Sequence, residues 1–176
     1  MNLNLFRIKT KSVIEMLATG GSGHVKLPRT LESTIFEIVW VAVTVVTWIV
    51  ILRENKELEE PVPTHFDLEG NPNGHSSLLI FYLILAFMSA ASAFFMFYVA
   101  YRPRFVNVGT DKAQKDSVRQ LKLKGQLGRV LAILLALHPL AFSLTARNGN
   151  PVYVIGMVVV LSVVGLVYSI LIRLNR

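Results

Sequence analysis

The sequence predicts an all-α membrane protein: a bundle of four transmembrane helices, preceded by an N-terminal amphipathic interfacial helix, with both termini cytoplasmic. Three observations predict it. Apolar residues fill 53% of the 176 positions and charged residues only 16%, against about 25% charged in an ordinary soluble domain. The apolar residues are gathered into four long runs. Finally, the 18 Lys and Arg residues fall almost entirely in alternate connecting segments. A soluble helical core would instead need an amphipathic period, and these runs are apolar all round.

The first run, "IFEIVWVAVTVVTWIVIL" at 35–52, carries one Glu near its start. The second, "SLLIFYLILAFMSAASAFFMFYVAY" at 77–101, is uncharged over 25 residues. The third, "VLAILLALHPLAFSLTA" at 130–146, is the shortest at 17 and holds a His-Pro pair; the fourth, "VYVIGMVVVLSVVGLVYSILI" at 152–172, has 21 uncharged residues. About 20 residues rising 1.5 Å each cross a hydrocarbon core of about 30 Å. Residues before 35 are too polar for a secretory h-region and lack a small-residue cleavage site, so an unprocessed N-terminus is expected.

Charge predicts orientation. Residues 1–34 hold Arg7, Lys9, Lys11, Lys26 and Arg29; residues 102–129 hold eight basic side chains; Arg173 and Arg176 end the chain. The other two connections hold only Arg53, Lys56 and Arg147. Fifteen against three sets the termini and the central loop in the cytoplasm and loop 53–76 outside. The net charge of +7 then lies beside anionic lipid and implies no nucleic-acid partner. With no cysteine, disulfides and thiolate metal sites are excluded.

Within this frame, residues 1–29 form a cytoplasmic amphipathic segment and hinge. Phe6, Val13, Met16 and Leu17 share a helical face, and "GGSG" at 20–23 is the joint. Pro28 or Thr30 starts the first span, Glu37 is expected to reach water at the interface, and Trp40 and Trp48 are expected as interfacial anchors. Residues 30–101 comprise two spans and the outer loop 53–76. Residues 102–129 form a basic loop, becoming helical near Asp111; its "NVGTDKAQ" lacks the Gly-Lys-Ser/Thr order of a phosphate loop and reads as a solvated basic face. Residues 130–176 form a second helical hairpin, turned by "RNGNP" at 147–151. The small-residue patch "SAASA" at 89–93 and the stripe Gly156, Ser162, Gly165, Ser169 are expected as packing seams.

Two places carry candidate chemistry. His138 is the intramembrane polar candidate, a proton or ligand site by residue type. The expected reading is a hydrogen-bonded histidine at a kink, because Pro139 frees the Leu135 carbonyl and no carboxylate of another span lies deep enough to pair with it. The outer stretch "PVPTHFDLEGNPNGHSS", 61–77, is the other. In an extended segment His65, Asp67 and Glu69 would point one way, and with His75 they are donor types suited to zinc. Their spacing is neither His-Glu-x-x-His nor a calcium loop. No nucleophile–base pair is spelled out, so no catalytic residue, cofactor or metal site is assigned.

The same stretch carries a family resemblance. "EEPVPTHFDLEGNPNGHSS", between a first and a second span, resembles the signature of a small bacterial membrane domain of unknown function found at the N-terminus of SdpI-like immunity proteins and in short four-span proteins. Pro63, Thr64, His65, Phe66, Asp67, Gly70, Pro72, Asn73 and Gly74 fill the pattern; His75 stands for its usual aromatic, Ser77 for its Lys and Glu60 for its first proline. The resemblance implies that 30–101 is an SdpI-like N-terminal domain in a bacterial cytoplasmic membrane. It also implies a non-enzymatic role in recognition, immunity or sensing through Pro63, Thr64, His65, Phe66, Asp67, Glu69, Gly70, Asn73, Gly74 and His75. The implied partners are the bilayer and an extracytoplasmic peptide or another membrane protein. Two alternatives stand beside it: a metal-dependent membrane enzyme or transporter using the loop His and carboxylates, and a structural subunit of a membrane complex.

Overall fold

The computed structural model describes residues 26–67, 71–103 and 118–175. The expected amphipathic helix, its glycine hinge, the "NVGTDKAQ" stretch and the helical start near Asp111 lie outside the described residues, as do Glu69 and Gly70. Four helices are long and apolar enough to cross a membrane: α1 (Leu31–Glu54), α2 (Leu78–Phe97), α3 (Val118–Asn148) and α4 (Val152–Leu174). A 3-10 turn, Val99–Tyr101, extends α2. The connection between α1 and α2 is not an irregular loop, as an all-α reading implies. It is an antiparallel hairpin of β1 (Val62–Phe66) and β2 (Pro72–Ser76).

Local chemistry sets the ends. Of the two expected starts for α1, Thr30 is the N-cap: its hydroxyl accepts from the Ser33 amide at 3.2 Å, and the Ser33 hydroxyl accepts from the Thr30 amide at 2.8 Å. This reciprocal box satisfies two amide donors that a helix start leaves unpaired. The α3–α4 turn follows the Asn-Gly-Asn-Pro chemistry. Gly149, at φ 63°, returns its amide to the Thr145 carbonyl at 2.9 Å, and Asn150 Oδ1 accepts from the Val152 amide at 3.0 Å. The left-handed residue after a helix is one that glycine adopts without a Cβ penalty.

Helix α3 is the axis of the molecule. It packs on α1, α2 and α4, whereas α1 and α2 meet each other only sparsely. Its composition explains this, because Gly125, Gly128, Ala132, Ala136, Ala141 and Ala146 are all buried. A Cβ on Gly128 would lie 2.9 Å from the Cα of Ala100, so backbone meets backbone there. Small residues give that close approach where lipid removes any hydrophobic drive between helices. The apolar run at 130–146 marks only part of α3: the helix begins at Val118, and Leu121 and Leu127 in the basic approach are buried. Pro139 lies fully buried inside it, and the helix continues on both sides.

Three expectations are corrected. The α4 glycines form no seam with the described residues, since a Cβ on Gly156 or Gly165 would meet nothing within 4 Å among them. Trp40 and Trp48 do not serve only as rim anchors. Their indole N–H groups donate to Ser92 at 3.2 Å and Ser89 at 3.0 Å, which gives the "SAASA" patch its role as acceptor strip between α1 and α2. Glu37 does not reach water. It is 6% exposed, with the Arg29 guanidinium on Oε2 and the Tyr101 hydroxyl donating to Oε1.

Candidate recognition surface at the hairpin end

The hairpin stands on a packed base. Val62, fully buried, joins Ile51 of α1, Phe81 and Leu85 of α2 and Ala146 of α3 in one apolar cluster, flanked by Trp48, Leu58, Tyr82 and Phe142. Two polar clasps tie α1 to α3 beneath it. The buried Asn55, at the end of α1, donates to Ser143 Oγ at 2.8 Å and accepts from it at 3.1 Å. Arg147 donates to the Glu54 carbonyl at 2.6 Å and pairs with its carboxylate at 2.5 Å. A third contact fixes the far leg: Glu60 Oε1 accepts from the Leu78 amide at 2.7 Å, and the Ser77 hydroxyl accepts from Ile80 at 3.4 Å. A carboxylate on a helix N-terminus satisfies an unpaired donor and faces the positive end of the helix dipole. Glu60 therefore has a definite structural role here, as the acceptor at the start of α2.

The register explains where the motif residues go. Val62 pairs with Ser76, Pro63 with His75, His65 with Gly74 and Phe66 with Pro72, with irregularities on both sides of His65. Such bulges break the strict alternation of side chains: His65 is exposed and Asp67 half-buried, while Glu69 lies outside the described residues. His65 and His75 are exposed, as are Asn71, Pro72 and Asn73, while Pro63, Thr64, Phe66 and Gly74 are half-buried. Gly74 has a steric reason: a Cβ there would lie 2.9 Å from the Cβ of His65 across the ladder.

Asp67 holds the hairpin's own turn. Its Oδ1 accepts from the Asn71 amide at 2.7 Å and its Oδ2 from the Asn71 side chain at 3.2 Å, while its amide donates to the Asn71 carbonyl at 3.0 Å. This is the side-chain-to-backbone closure that Asp favours in turns. Among the described residues no group of three or more His, Cys, Asp and Glu side chains comes close enough to hold a metal ion. His138 sits apart on α3, half-buried, with Nδ1 enclosed and unpartnered. The expected hydrogen-bonded histidine is therefore not what is found.

Sequence reading singled out the tip of the hairpin and passed over its base: Asn55, Glu60, Ser143 and Arg147. Asn55 and Ser143 had a usable signal, as polar residues at the two ends of apolar runs that must find partners. Glu60 had none until the strand register was known. No family model, no curated protein and no solved structure matches this chain.

Proposed function

We propose that this chain is a multi-pass protein of the bacterial cytoplasmic membrane, with both termini cytoplasmic. In this reading its hairpin recognises an extracytoplasmic partner, either a membrane-active peptide or another membrane protein, with immunity or sensing as the outcome. The observation that carries it is the contrast between base and tip. The base is locked by Val62, Asn55–Ser143 and Glu60–Leu78, and the tip offers His65, Asn73 and His75 to solvent. A surface already ordered before contact loses less entropy on binding than a flexible loop. The imbalance of fifteen basic residues against three supports the orientation. The resemblance of this stretch to the signature of the SdpI-like domain lies in these same residues and supports immunity as the class of role.

Two measurements test it. The chain has no cysteine, so single cysteines at His75 and at Lys122 report topology. A membrane-impermeant maleimide should label the first and not the second in intact cells, and the reverse pattern refutes the orientation. Expression in sensitive cells should then protect against at least one member of a panel of membrane-active peptides, with protection lost in H65A/H75A. Unchanged killing across the panel, together with no hairpin-dependent crosslink to any membrane protein, refutes recognition.

A further inference from the structure

At the end of the helices opposite the hairpin, a buried carboxylate is paired with one cation, and a second, buried cation lies against the ring of the tyrosine that bonds it. Glu37 lies two turns into α1 and is 6% exposed. The cation it uses comes from outside the helix. Arg29, whose own side chain is 66% exposed, belongs to the segment 26–30 and folds back onto Glu37 Oε2. That segment lies across three elements as a strap. The Leu27 amide donates to the Tyr101 carbonyl at 2.9 Å, and Leu27 Cδ1 occupies the space a Cβ on Gly125 of α3 would need. Thr30 caps α1, and two residues on Glu32 accepts from Gln126 of α3 at 2.7 Å.

The second cation is Arg129 of α3. It is 5% exposed, its Nε is enclosed without an acceptor, and its guanidinium lies 5.2 Å from the centre of the Tyr101 ring. Tyr101 therefore touches both sides. Its hydroxyl donates to Glu37 and its ring faces Arg129. A buried guanidinium held only over an aromatic face, with a carboxylate at the other end of the same ring, has an obvious second partner. A carboxylate hydrogen bond satisfies an arginine better than a ring does.

We propose that Glu37 is a two-position charge switch. With residues 26–30 in place it pairs with Arg29. When the strap is drawn off, by whatever binds or pulls the chain ahead of Lys26, Glu37 turns to Arg129 and draws α1 and α3 together around Tyr101. Each state keeps the carboxylate paired, which makes two discrete arrangements tenable where one buried unpaired charge would not be. Gly125 and Gly128 already bring α3 against Ala100 of the 3-10 turn, which keeps Arg129 beside Tyr101 in either state. This switch stands apart from recognition at the hairpin, and either can fail without the other.

The test uses the full chain in detergent or vesicles with a single cysteine in place of Leu27. In the otherwise unchanged chain the thiol should react slowly with maleimide, and R29Q should speed it at least tenfold by releasing the strap. R129Q should leave it slow. Thermal midpoints then report the second state. Replacing Arg129 should lower the midpoint more in the R29Q background than in the parent, by at least about 4 °C. In the E37Q background that excess should vanish. R129K, which keeps the charge but loses the planar fork, should show a smaller excess than R129Q. A thiol that stays protected in R29Q, or an Arg129 substitution equally costly in both backgrounds, overturns the proposal. Because Arg29 is largely exposed, R29Q is not expected to prevent folding.

Discussion

Gly74→Ala isolates the steric fit of the hairpin. Gly74 is outside the left-handed region, so the cost of the new methyl is contact alone. An added Cβ would lie 2.9 Å from the Cβ of His65, whereas carbon pairs settle at about 3.5–4.0 Å. The strands must therefore part by several tenths of an ångström, and the partner atom is attached directly to backbone and cannot swing aside. Overpacking of this kind costs about 1–3 kcal/mol, and the middle of that range, about 1.4–2.8 kcal/mol, is about tenfold to a hundredfold in the opening of the hairpin. Amide hydrogen exchange reads this locally. The Asp67 amide, bonded to the Asn71 carbonyl, should exchange about 10- to 100-fold faster in G74A, while amides of α3 stay at parental rates. Adding H65G should restore protection, and adding H65A should not, because alanine keeps the clashing Cβ. Parental exchange in G74A refutes the reasoning, and so does rescue by H65A, which would place the clash in the imidazole ring.

Three further outcomes are expected. A double-mutant cycle over Asn55→Ala and Ser143→Ala should give a coupling of about 0.6–1.7 kcal/mol, the range for interhelical hydrogen bonds in membranes; zero coupling would remove the clasp at 2.8 and 3.1 Å from the forces holding α1 to α3. Trp48→Phe keeps the apolar bulk but deletes the donor to Ser89, so it should lower stability by about the same amount, and the combined W48F/S89A variant should cost little more than W48F alone. Purified protein should carry less than one equivalent of zinc, and its thermal midpoint should not move with chelator or in H65A/H75A; a stoichiometric metal lost in H65A/H75A would bring the metal-dependent alternative forward.

The apolar runs made the spans legible, because membrane length and hydropathy impose a rule that needs no partner: Leu31–Glu54 and Val152–Leu174 lie where runs 35–52 and 152–172 predict. The turn at Gly149 was equally local. What escaped were features decided by which helix lies beside which. The α4 stripe reads like the small-residue face of α3, yet only Gly125 and Gly128 have a backbone to approach. Glu37, placed near a span end, was expected in water because the cation covering it is eight residues away in sequence and the tyrosine 64. At the hairpin, 61–77 was marked by composition, but bulges around His65 are set by pairing with Gly74, and the use of Asp67 for its own turn appears only once Asn71 is beside it. Turn-forming residues and metal-binding residues overlap in type, so the sequence alone left both readings open.

The sparse contact between α1 and α2 has a consequence for the order of synthesis. These two spans leave the ribosome before α3, yet α3 is the helix that each of them mainly packs against, and it begins only at Val118, beyond the 3-10 turn. Until α3 arrives, the early pair is held in register by two tryptophan–serine hydrogen bonds, the Trp40–Phe97 ring contact and the Tyr101–Glu37 hydrogen bond. Val62 would then lack Ala146, and Asn55 would lack Ser143. The hairpin is thus finished from behind, by the third helix. A fragment ending at Tyr101 would keep the whole motif and lose the part of its floor that Phe142, Ser143 and Ala146 supply.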